Sequence, residues 1–153
     1  MALSAQSLCL TCGSVNRVQH GKPAAAAKCG RCGAPLGLNL ASEVDDAQLA
    51  RLLEKSSGLL LLDVWAPWCG PCRAMAPNFA AAARTLAGTA RLAKLNADHS
   101  QMVGALAVSG IPALILFRDG RIIDRKAGVM SVDMLTAWVR SHLIDASKST
   151  STN

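Results

Sequence analysis

Trp68-Cys69-Gly70-Pro71-Cys72 follows the apolar run Leu59-Leu60-Leu61-Leu62-Asp63-Val64-Trp65 and precedes a helix-compatible stretch from Arg73 to Leu86. The run reads as a buried central strand, and Gly70-Pro71 suits a tight turn into the first turn of a helix. Two cysteines separated by two residues at such a junction form a dithiol that can cycle through a disulfide. Cys69 then lies at the helix N-terminus, where unpaired backbone N–H groups and the macrodipole favour a thiolate. The thiolate attacks in disulfide exchange, so Cys69 is the candidate nucleophile and Cys72, one turn deeper, the resolving thiol. A metal half-site is the alternative for this pair. It fails on counting, because the other four cysteines already match one another.

Asp63 interrupts the apolar strand. An acid there is costly if charged and unpaired, and burial should raise its pKa. That makes it a candidate proton acceptor or donor for Cys72. The alternative is a satisfied buried carboxylate that only specifies packing.

On the N-terminal side, Asp45-Asp46 can cap a helix over 47–55 with Leu49, Leu52 and Leu53 on one face. A short strand is expected near 38–41. On the C-terminal side the pattern predicts a helix from residue 70 or 72 to 86, kinked at Pro77. A strand over 91–96, a short helix over 102–108 and a strand over 113–118 follow. Asp119-Gly120 then turns into an antiparallel strand over 121–126. A last helix over 131–143 carries the stripe Val132, Leu135, Trp138 and Val139. Strands alternating with helices and closed by one hairpin predict an α/β fold, a mixed central sheet flanked by helices on both faces. Residues 147–153 are polar and are expected to be a disordered tail.

The remaining cysteines form Cys9-x-x-Cys12 and Cys29-x-x-Cys32, with sixteen residues between the inner two. A segment this short cannot build an adequate apolar core and needs a staple. Four thiolates on two glycine-eased knuckle turns suit tetrahedral Zn²⁺, with iron the competing metal and two disulfides the alternative in an oxidising compartment. His20 lies in the intervening loop and is expected to be exposed; His99 and His142 have no evident partners.

Of the 153 residues 51% are hydrophobic but only 3% aromatic, so the core must rest on Leu, Val, Ile, Ala and Met. No apolar stretch approaches the ~20 residues of a membrane helix. Residues 1–10 show no signal-peptide pattern. All six cysteines fall in C-x-x-C pairs, which suits a reducing compartment, so a cytoplasmic location is expected. The net charge is +6, and residues 1–40 contain four basic residues and no acid. This permits a nucleic-acid-binding ribbon as an alternative role, but no aromatics interleave the basic residues for base stacking.

The segment from Asp63 to Cys72, continuing through Arg73-Ala74-Met75-Ala76-Pro77, resembles the active-site region of thioredoxins. Ala93-Lys94-Leu95-Asn96, Gly110-Ile111-Pro112, Leu116-Phe117-Arg118-Asp119-Gly120 and Gly128 match in order and spacing, so the resemblance spans residues 40–144. The first forty residues are similar to the extension of the two-domain zinc thioredoxins of bacteria, the thioredoxin-2 type. This implies a thioredoxin fold over 38–146 preceded by a small zinc ribbon over 1–37. It implies a protein-disulfide reductase in which Cys69, Cys72, Asp63 and Lys94 are catalytic. Trp68, Gly70, Pro71, Ile111, Pro112 and Gly128 would meet the client, with Pro112 cis and the Ile111 backbone free to pair with an extended peptide. Cys9, Cys12, Cys29 and Cys32 would hold structural zinc. Electrons would come from NADPH through a separate flavoprotein, thioredoxin reductase; neither cofactor binds this chain, which has no G-x-G-x-x-G fingerprint. Disulfide-containing proteins would be the clients, and a monomer is expected. Two departures from the family pattern are Ala113, where threonine is usual, and Pro67 before Trp68. A disulfide-forming oxidase or isomerase on the same fold is a further alternative, disfavoured by Gly-Pro between the cysteines.

Overall fold

Side-chain parity along two apolar strands sets the architecture. The computed structural model describes residues 4–19 and 23–151; His20, the neighbouring loop positions 21–22 and both chain ends lie outside the described residues. The described strands are β1 (Ser4–Leu8), β2 (Val15–Gln19), β3 (Ala41–Val44), β4 (Leu59–Trp65), β5 (Ala90–Asn96), β6 (Ala113–Arg118) and β7 (Arg121–Ala127). The helices are α1 (Asp46–Lys55), α2 (Gly70–Thr85), α3 (Met102–Ala105) and α4 (Val132–Ser151). The central sheet has the order β3-β5-β4-β6-β7, with β3, β5 and β4 parallel, β6 antiparallel to β4, and β7 antiparallel to β6.

Because successive side chains on a strand point to opposite faces, β4 and β5 each feed two cores. Leu59, Leu61 and Leu92 pack with Met75 and Phe79 of α2 and Leu135, Trp138 and Val139 of α4. Leu60, Leu62, Val64, Ala93 and Leu95 pack on the other face with Leu49 and Leu52 of α1. Asp63 and Lys94 take the parity of the α2/α4 face. Arg91 takes the parity of the other.

β1 and β2 form an antiparallel hairpin that the sequence pattern does not announce. Leu8, at the end of β1, is buried in the same cluster as Leu49, Leu52 and Leu62, so the N-terminal arm shares a core with the central sheet. Hydrogen bonds reinforce the seat: Ser57 N–H to the Gln6 carbonyl at 3.0 Å, Gln6 N–H to Ser57 Oγ at 2.8 Å, and Leu8 N–H to Ser56 Oγ at 3.2 Å.

Several expected boundaries move for local reasons. β3 begins at Ala41 rather than near residue 38, because Gly37 at φ 67° and the Leu40 N–H to Gly37 carbonyl bond make a turn there. The helix expected over 102–108 is the single turn α3, ended by Ala107 in the left-handed region at φ 56°. α1 starts at Asp46, with Asp45 and Gln48 in a reciprocal capping box. α2 runs through Pro77 to Thr85. α4 continues to Ser151, over part of the expected disordered tail, since extending an existing helix into polar residues is far easier than nucleating one. No described helix is long and apolar enough to cross a membrane.

Candidate redox centre and metal site

β4 delivers the chain to Cys69, which caps α2; its Sγ accepts the Cys72 N–H at 3.2 Å. Cys69 and Cys72 are joined as a disulfide, with their Cα atoms 5.2 Å apart. Pro71 sits in the first turn, where its missing N–H leaves nothing unpaired. Both sulfur-bearing residues are enclosed, Cys69 at 6% and Cys72 at 2% exposure, with Ala66, Trp65 and Ile111 around them. The adjoining Trp68 is 67% exposed, so the surface beside Cys69 is far more open than the sulfur itself. Its indole N–H is fixed by Asp98, at 2.9 Å to Oδ1 and 3.1 Å to Oδ2.

The Ile111-Pro112 peptide bond is cis. The Ile111 carbonyl lies 3.9 Å from Cys69 Sγ. Gly128, at φ 86°, donates its N–H to the Pro112 carbonyl at 3.0 Å, joining the start of β6 to the end of β7 beside the disulfide.

Asp63 is fully buried, and neither carboxylate oxygen has a hydrogen-bond partner among the described residues. Burial pushes its carboxyl up to about 7; Lys94 pulls it back and Glu43 adds to the rise. Lys94 is opposite Asp63 in the β4–β5 register and opposite Glu43 in the β3–β5 register. Its ammonium is 3.7 Å from Glu43 and 4.6 Å from the centre of the Trp65 ring.

In the N-terminal segment, the sulfur atoms of Cys9, Cys12, Cys29 and Cys32 lie within 4.8 Å of one another. Two identical turns set them there. Cys9 N–H bonds the Ser14 carbonyl and Gly13 N–H the Cys9 carbonyl; Cys29 N–H bonds the Ala34 carbonyl and Gly33 N–H the Cys29 carbonyl. Gly13 and Gly33 have φ 79° and 78°, a conformation costly for any residue with a Cβ. The Cys9–Cys32 and Cys12–Cys29 sulfurs are 3.7 and 3.6 Å apart. A zinc tetrahedron with bonds of ~2.3 Å has edges of about 3.8 Å, close to these two separations, so four thiolates gathered this way suit that ion. The Ser14 hydroxyl lies 3.1 Å from both Cys12 and Cys29 and, with bonds from the Cys32 backbone and Asn16, holds the Cys29 thiol down at about 5.

Sequence reasoning missed Ser14, Asn16, Asp98 and Arg91. Arg91 carried a signal: like Asp63, it is a charge inside an apolar strand. It is only 8% exposed, and donates from Nη1 to the Leu8 carbonyl at 2.7 Å and from Nη2 to the Leu36 carbonyl at 2.9 Å. Burial brings its pKa down to about 10, with Cys9 opposing the fall. Asn16 joins the two turns, its Oδ1 accepting the Gly30 N–H at 2.9 Å.

The Thioredoxin family model matches residues 40–141, and the model described as Thioredoxin 2, N-terminal, a zinc ribbon, matches residues 8–34. A thioredoxin of Pseudomonas aeruginosa is 38% identical over 101 residues, covering 65% of this chain and 94% of that protein. Thioredoxin C-3 of Corynebacterium nephridii is 31% identical over 137 residues, covering 89% of this chain and 94% of its own. Among solved structures, a variant thioredoxin from Halobacterium salinarum aligns with TM-score 0.59 at 29% identity, covering 69% of this chain and 92% of its own. Chloroplastic thioredoxin z shares the fold, with TM-score 0.62 at 20% identity over 67% of this chain and 93% of its own. These relatives favour neither a nucleic-acid module nor a disulfide oxidase. The chain belongs to the thioredoxin family, and is a thiol–disulfide oxidoreductase that carries a zinc-ribbon segment ahead of its redox domain.

Proposed function

We propose that the chain reduces client protein disulfides through Cys69 and Cys72, with residues 1–37 as a metal-stapled ribbon and 38–146 as the redox domain. The observation that carries this reading is the capped cysteine: Cys69 Sγ accepts the Cys72 N–H at the head of a sixteen-residue helix. That hydrogen bond and the helix field stabilise negative charge on the sulfur. The Cys69 thiolate attacks a client sulfur, forming a mixed disulfide and releasing the other client sulfur as a thiolate that takes up a proton. Cys72 then loses its proton, attacks Cys69 Sγ, and frees the client's second thiolate. The client gains two electrons and two protons, and the chain ends as the Cys69–Cys72 disulfide.

Asp63 is the proposed proton acceptor for Cys72. With a pKa near 7 it exchanges protons near neutral pH, and Lys94 stabilises its charged form. Exposed Trp68, the Gly70-Pro71 turn, Ile111 beside the cis Pro112, and Gly128 form the proposed client surface, the Ile111 backbone pairing with an extended peptide. Cys9, Cys12, Cys29 and Cys32 would hold Zn²⁺, which when bound supplies a rigid cross-link between the two turns. Reducing equivalents would come from NADPH through a separate flavoprotein thioredoxin reductase, and the protein would act as a cytoplasmic monomer. The decisive experiment is reductase-coupled reduction of insulin disulfides: Cys69→Ser should abolish turnover, and Cys72→Ser should accumulate the mixed disulfide. Full turnover by the Cys69 variant would end the assignment.

A further inference from the structure

Arg91 belongs to β5 of the redox domain, yet everything its guanidinium bonds lies in the ribbon. Leu8, which accepts from Nη1, immediately precedes Cys9. Leu36, which accepts from Nη2, closes the second arm, where its N–H bonds the Ala27 carbonyl at 2.9 Å. One planar fork therefore grips both arms of the cysteine cluster, a geometry for which arginine is suited and lysine is not.

The charge around this fork is lopsided. Among the described residues the ion pairs are Lys55–Glu54, Lys94–Glu43 and His142–Asp124, none involving Arg91. Residues 1–40 contain no Asp or Glu at all. A buried cation without a counter-charge is unfavourable. The acidic group that acts on Arg91 is Cys9, the neighbour of Leu8, and four thiolates around one divalent ion carry a net charge of about −2.

We propose that Arg91 is the positioning residue of the metal centre, supplying its counter-charge and clamping the two cysteine turns together. This rests on reading the four cysteines as a zinc site. Charge and hydrogen bonds here act in both directions. Arg91 favours the metal-loaded tetrathiolate, and the loaded centre in turn stabilises a strand that borders β4. The coupling must be reciprocal, because it is a free energy shared between the two ends.

The test uses the full chain with Cys69–Cys72 oxidised and zinc affinity measured by competition with a chromogenic chelator. Arg91→Gln keeps a donor for one carbonyl but removes the charge; Arg91→Lys keeps the charge. The Gln variant should bind zinc about 10- to 100-fold more weakly, the range for losing a group that supports metal ligands. The Lys variant, which keeps the charge but loses the two-carbonyl fork, should recover only part of that loss. Wild-type affinity in the Gln variant, or equal weakening in both, would overturn the proposal. Wild-type protein that takes up no zinc would instead remove the metal reading on which it stands. Should Arg91→Gln fail to fold, hydrogen exchange on the wild type decides. Stripping zinc should lower amide protection along β5, and unchanged protection there rejects the coupling.

Discussion

Asp63 and Lys94 are directly opposite each other on neighbouring parallel strands, but the Lys94 ammonium is committed to Glu43 at 3.7 Å and to the Trp65 ring. The carboxyl is left with no hydrogen bond among the described residues, which keeps it poised near neutrality rather than locked as an ion pair.

Stability should therefore fall as pH rises through this group. In the unfolded chain Asp63 ionises near 3.9, whereas in the fold it holds its proton to about 7. Below the unfolded value the group contributes no pH dependence; between the two values the unfolded state loses its proton first and stability declines; above 7 the loss is complete. Asp63→Asn should flatten that slope and raise stability at pH 8 by about 2–4 kcal/mol, measured by urea unfolding at pH 5 and 8. It should also slow client release from the mixed disulfide.

Gly120 and Gly88 share φ 83° but not surroundings. A Cβ on Gly120 would collide with the Leu53 carbonyl, whereas one on Gly88 meets open space. Gly88→Ala should cost about 1–2 kcal/mol from backbone conformation alone. Gly120→Ala should cost clearly more, because β7 must move away from α1. Equal denaturation midpoints for the two variants would contradict this packing.

Trp138 and His142 both meet Asp124 on β7, at 2.7 Å from the indole N–H and 2.9 Å from His142 Nε2. The Trp138 bond, followed by that of His142, holds the Asp124 carboxyl below its ordinary range. This contribution is present at neutral pH and is lost as pH falls through the depressed value. Asp124→Ala should destabilise the fold by about 1–2 kcal/mol, with the effect vanishing in strong acid. Thermal melts at pH 7 and pH 2.5 provide the comparison.

Trp68 is held in place by Asp98. Asp98→Ala should release the exposed indole, shift its fluorescence, and raise the KM for a protein disulfide several-fold with a smaller change in kcat. An unchanged KM would mean that the tryptophan's orientation is irrelevant to client binding.

Much of this site was legible because its chemistry is local. Cys69 to Cys72 spans one helical turn, and each zinc knuckle is a five-residue turn closed by a glycine, so spacing alone carries the geometry. Asp63 was legible as an exception to its apolar strand. Arg91 is an exception of the same kind, but its meaning depends on carbonyls 83 and 55 residues away, which no periodicity encodes. His142 had no evident partner because Asp124 reaches it only after β7 and α4 pack. The β1–β2 hairpin was illegible for a related reason: Ser4–Leu8 gains its partners from β2 and the end of α1, and its own composition is nearly neutral between strand and loop.

Leu8 also imposes an order of events on the growing polypeptide. It leaves the ribosome long before α1 and β5, yet its side chain fits among Leu49, Leu52 and Leu62 and its carbonyl awaits Arg91. The first arm to be synthesised must therefore stay unseated while some eighty further residues emerge, its cysteines open to any passing metal or oxidant.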